Sequence, residues 1–114
     1  MDVIGERALD LELTGETGTR KILVRVGKPE EQAEGKDWIA PYEIHGPDPG
    51  EMIRRVAYGI DALQALGCAL FILPSELESF RSRGRLTFNG GEDLRIGSPT
   101  EPGGWEEKPA PDPE

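Results

Sequence analysis

Tyr58-Gly59-Ile60-Asp61-Ala62-Leu63-Gln64-Ala65-Leu66 is where a strand pattern hands over to the most apolar helical pattern in the chain. Asp61 has the side chain of an N-cap, an acceptor for the unpaired amides of a first helical turn. Gln64 stands three residues on, where it can reach back to the cap's own amide and close a capping box. Loss of a cap of this kind costs about 1 kcal/mol. Downstream, Leu63, Leu66, Leu70 and Leu73 recur at helical spacing, and Ala62, Ala65, Ala69 and Ile72 widen the stripe. So apolar a helix is expected to be covered over most of its surface, with room for a second contact surface, as in a dimer.

Upstream of this junction the periodicity is two. Leu9, Leu11 and Leu13 alternate with Ala8, Asp10 and Glu12, and Ile22, Val24 and Val26 alternate with Lys21, Leu23 and Arg25. Thr14 to Thr19 between them contains two glycines, so the pair reads as a hairpin. Lys28 to Lys36 is polar and acidic and reads as a loop. Trp38, Ala40, Tyr42 and Ile44 share one parity of a third strand that ends at His45. Pro41 cannot donate a ladder hydrogen bond, which predicts a bulge, a late start or an edge position. After the turn Gly46-Pro47-Asp48-Pro49-Gly50, a fourth strand covers Met52 to Tyr58. Its register stays open: Val56 and Tyr58 favour one face, Ile53 and Ala57 the other. Arg54 and Arg55 must point to opposite faces, so one guanidinium needs the rim or an acidic partner.

Pro74 predicts that the main helix stops near Leu73, with Ser75-Glu76-Leu77-Glu78 capping a shorter second helix that Gly84 ends near Arg83; one kinked helix is the alternative. Arg85 to Phe88 reads as a short strand before the turn Asn89-Gly90-Gly91, and Leu94 with Ile96 as one more. The predicted fold is α+β, an antiparallel sheet of four to five strands with the main helix on one face. On this reading Leu66→Ala or Leu70→Ala costs roughly 2–5 kcal/mol. Residues 1–97 form the single domain. Residues 98–114 form a disordered acidic, Pro- and Gly-rich tail in which Trp105 is a candidate short binding motif against the commoner solvated tail.

The nonapeptide and its setting resemble a family of small bacterial proteins of unknown function. The resemblance is carried by Tyr58, Gly59, Asp61, Gln64, Ala65 and Leu66, and more loosely by Gly84-Arg85-Leu86 and Asp93-Leu94. The chain departs from that family's close at Arg95-Ile96-Gly97-Ser98-Pro99. The resemblance implies the order of elements and a bacterial origin. It brings no activity, cofactor or catalytic residue.

Composition narrows the partners. Thirteen basic against 22 acidic residues give a formal charge of −9 over 114 residues. Phosphate backbones and anionic lipid are repelled, so nucleic acid and membrane are poor partners and a basic protein is an easier one. The N-terminus lacks the basic start and apolar core of a signal peptide, and the longest apolar run, Ala65 to Leu73, is too short to span a bilayer; a cytoplasmic protein is expected, monomeric or weakly dimeric.

No catalytic constellation, metal-ligand set or cofactor motif emerges. His45 and Cys68 are the sole histidine and cysteine, too few for a zinc site. His45 reads as an exposed turn residue before a general base, and Cys68 as a small core hydrophobe. Glu30, Glu31 and Glu34 read as a solvated loop. A non-enzymatic protein-interaction domain, in its most concrete form an immunity-like antagonist of a basic toxin, is the leading reading. Trp38, Tyr42, Arg54 and Arg55 are its candidate contacts. A small-molecule sensor with its ligand between sheet and helix near Tyr58 comes second, and an enzyme using carboxylates with His45 last. Asp61, Gln64, Leu66 and Leu70 are read as structural.

Overall fold

The alternating segments pair as the sequence predicts, in chain order and antiparallel. A computed structural model describes residues 1–33, 37–96 and 109–112. Its strands are β1 (Val3–Leu13), β2 (Arg20–Gly27), β3 (Glu30–Glu31), β4 (Trp38–His45), β5 (Met52–Gly59) and β6 (Gly84–Thr87). β1 pairs with β2, β2 with β4 and β4 with β5, while β6 returns to pair with the far side of β1. The helix α1 (Ala62–Glu78) and a 3-10 turn (Ser79–Ser82) carry the chain from the β5 edge back across one face to β6. The fold is α+β, with six strands among the described residues rather than four to five. The sixth is β3, two residues inside the expected loop that pair with the start of β4. Leu94 and Ile96 do not form a strand, although Leu94 is buried.

Pro41 sits inside the sheet, not at an edge. Along one side of β4, β3 pairs with Trp38 and Ile39, and β2 with Tyr42 to His45. Pro41 falls in the gap between those two partners, where a missing N–H interrupts no ladder.

The core lies on one face of the longer strands, where α1 covers β4 and β5. Leu9, Leu11, Ile22, Val24, Ala40, Tyr42, Ile44, Ala57 and Leu86 supply the sheet side, and Ala65, Ala69, Leu73 and Leu77 the helix side. The inward line of the helix is therefore offset from the predicted leucine stripe. Leu66 and Leu70 are half-buried at its flank, and Leu63 is 80% exposed. Small residues explain the offset. Ala65 and Ala69 enter the same buried cluster as Ala40 and Ala57, so the helix can approach β4 and β5 closely. The approach is tightest at Gly59, where a Cβ would abut the Ala65 amide and lie 2.8 Å from the Gln64 carbonyl carbon. Gly59 is a packing requirement more than a turn former. Gly84 plays the same part against β1, where a Cβ would lie 2.8 Å from the Glu12 carbonyl carbon.

Helix α1 runs through Pro74 without breaking. The proline forgoes one intrahelical hydrogen bond, but Leu73 and Leu77 on either side of it are both fully buried and hold the helix on the sheet. Ser75 to Glu78 are thus helix interior, not a second cap. At the N-terminus, Asp61 Oδ1 accepts from the Gln64 amide at 2.8 Å, as predicted. Gln64 Oε1 reaches one residue further back than expected, accepting from the Ile60 amide at 2.7 Å.

Candidate functional site

Three surfaces carry chemistry, and each follows from where α1 rests. Because the helix lies on β4 and β5, the same face over β1 and β2 is left to the segment after β6. That segment turns at Asn89-Gly90, both with positive φ, inside paired hydrogen bonds between Phe88 and Gly91. Two arginines then hold it by its carbonyls. Arg81 Nη2 donates to Glu92 O at 2.7 Å, and Arg7 Nη1 to Leu94 O and Arg95 O at 2.7 and 2.8 Å. The Arg7 guanidinium also stacks 4.2 Å from the centre of the Phe88 ring. Between this segment and α1 a cleft of about 390 Å³ remains, walled by Ile4 to Arg7, Val24 and Val26 on the sheet and by Leu66, Leu70 and Leu73 on the helix.

The second surface is the outer face of the sheet. Strand register aligns Glu6, Arg25, Glu43 and Arg54 in one row across four strands. Arg25 Nε meets Glu6 at 2.9 Å, and Arg54 meets Glu43 Oε2 at 2.7 Å through Nε and 2.6 Å through Nη2. The other oxygen of Glu43 is 2.8 Å from His45 Nε2. Glu43 is buried, and its carboxyl is held below the usual range by the His45 hydrogen bond first and Arg54 next, which together outweigh desolvation. Sequence reasoning missed Glu43. The signal lay in Glu43-x-His45 on one strand face, readable once β5 is registered so that Arg54 stands opposite.

The third surface is the outward face of α1. Leu63 and Phe71 are 80% and 83% exposed, and Gly67 lies one turn from each with open space where its Cβ would be. Ile60, just before the helix, is exposed as well. No lysine or arginine occurs between Ala62 and Glu78.

The candidate contacts on the second hairpin do not share a surface. Trp38, Tyr42 and Arg55 face the helix. Tyr42 is fully buried, so it belongs to the core and is no surface contact. Burial, then the charge of Glu76, pushes its hydroxyl above the ordinary tyrosine range. Arg55 answers the buried-charge question through Glu76 of α1, at 3.1 Å. Arg54 and Tyr58 lie on the opposite, outer face. Tyr58 is 61% exposed there, so its ring is not buried and it cannot border a ligand between sheet and helix. His45 is half-buried and engaged with Glu43 rather than an exposed turn residue. Cys68 is half-buried beside the core rather than within it. Asp61 and Gln64 are the cap already described. Glu34 and Trp105 lie outside the described residues.

No helix among the described residues is long and apolar enough to cross a membrane. Residues 5–100 match the family model described as Domain of unknown function (DUF6968), and the chain belongs to that family. No curated protein and no solved structure matches it.

Proposed function

We propose that this member of the family is a non-enzymatic interaction domain that docks a basic protein on the outward face of α1. One observation carries the reading: Leu63 and Phe71, two large apolar side chains more than three-quarters exposed, share a ridge with an open Gly67 between them. A ridge of this kind offers an aromatic anchor and a shallow seat for a partner's side chain. Charge supports a basic partner over a second copy. The helix carries no lysine or arginine, and the whole chain carries −9, which opposes self-association and favours a cation-rich surface. An antagonist of a basic toxin is the most concrete form of this function, and a cytoplasmic setting accords with it.

The test is affinity capture with the full tagged chain at low and high ionic strength, alongside Leu63→Ser/Phe71→Ser. A stoichiometric basic partner should be retained by the wild type, weaken with salt and be lost from the double variant. Undiminished capture by the double variant refutes this surface.

A further inference from the structure

The cleft between α1 and β1–β2 is a separate feature, on different residues from the ridge. We propose that it binds an amphipathic carboxylate of medium chain length, with the hydrocarbon tail against Val24, Val26, Leu66 and Leu70 and the head on Arg7. The lining is mostly aliphatic, and about 390 Å³ falls within the range of small-molecule sites, which pair apolar walls with a few placed polar groups. Arg7 is such a group. It is fixed in place by the Phe88 ring and by two backbone carbonyls that occupy Nη1 alone. Its Nε and Nη2 donors have no protein acceptor among the described residues, and a guanidinium edge matches a carboxylate.

Local charge favours an anion despite the acidity of the whole chain. Arg7 lines the cleft, and the one acidic residue among the described lining residues, Glu6, is paired with Arg25 at 2.9 Å. Distant acidic groups act through a screening length of about 8 Å at physiological ionic strength. Leu66 and Leu70, half-buried along the helix flank, are the side chains that a tail would cover. Their position in the cleft explains why two leucines of a core-like stripe remain partly open.

The experiment is calorimetric titration of the full chain with sodium acetate, hexanoate, heptanoate and octanoate, and with 1-octanol, with amide-resolved NMR to map the contact. Each added methylene from hexanoate should tighten binding about fourfold, acetate should show no saturable binding, and octanoate should exceed 1-octanol by tenfold or more. Amide shifts should concentrate in residues 4–7, 24–26 and 66–73. Arg7→Met should erase the octanoate preference. Because Arg7 also holds the 94–95 carbonyls, Leu66→Trp is the second variant: it fills the cleft from the helix side and should abolish octanoate binding with the melting temperature retained. Equal affinity for octanoate and 1-octanol in the wild type, shifts centred elsewhere, or no saturable binding across the series would overturn the proposal.

Discussion

Replacing Gly59 with alanine adds one methyl group, and the outcome tests how α1 is seated. In most strands this exchange is mildly stabilising, by about 0.4–1 kcal/mol, because it restricts the unfolded chain. Here the new Cβ would meet the Ala65 amide, the Gln64 carbonyl carbon at 2.8 Å and Ala65 Cα at 2.9 Å, all backbone atoms of the first helical turn. No side-chain rotation relieves that contact, so the turn or the strand end must move. Overpacking of this kind costs about 1–3 kcal/mol. Subtracting the unfolded-state gain leaves a net loss of up to about 2.6 kcal/mol, centred near 1 kcal/mol, which lowers the melting temperature by roughly 4–8 °C at that centre for a chain of this size. Thermal unfolding followed by circular dichroism measures it. Gly67→Ala is the control: it lies in the same helix with nothing near its Cβ and should stabilise by up to about 1 kcal/mol. An unchanged or raised melting temperature for Gly59→Ala would refute the close approach of strand and helix.

Other outcomes follow from the same geometry. Glu43 has a depressed folded-state pKa, so the stability it contributes is present above the unfolded carboxylate value of about 4.3 and is lost as pH falls through the folded value. Melting temperatures of Glu43→Gln should therefore fall less steeply below about pH 4.3 than those of the wild type; Glu51, depressed chiefly by Arg83, leaves a residual slope. Asp61→Ala should lower stability by about 1 kcal/mol through loss of the bond to the Gln64 amide, measured by urea unfolding. Leu73→Ala should cost about 2–5 kcal/mol and Leu63→Ala less than about 0.5 in the same assay; equal losses would contradict the observed orientation of α1.

Much of the architecture was legible because it is local. The alternation of Leu9 with Leu11 and of Ile22 with Val24 set the buried face, and Asp61 set the helix start. What escaped depends on contacts distant in sequence. The register of β5 was ambiguous because Arg55 lies on the helix-facing side, a position permitted by Glu76, 21 residues away. The turn of Tyr58 to the outer face follows from that register. Pro74 signals a break in isolation, and only the burial of Leu73 and Leu77 against the sheet outweighs it. The leucine stripe misled for a related reason: alanines, which sequence patterns weigh lightly, form the closest contact with the sheet, and the leucines beside them line the cleft or face outward.

The outward ridge of α1 is the claim on which function turns, and it is tested most directly by measuring partner capture and melting temperature on the same preparations of wild type and Leu63→Ser/Phe71→Ser. Capture should be lost while the melting temperature stays within a few degrees of the wild type, since side chains this exposed contribute little to folding. Retained capture would contradict the proposed docking surface. A collapse in melting temperature would show that these two residues belong to the core.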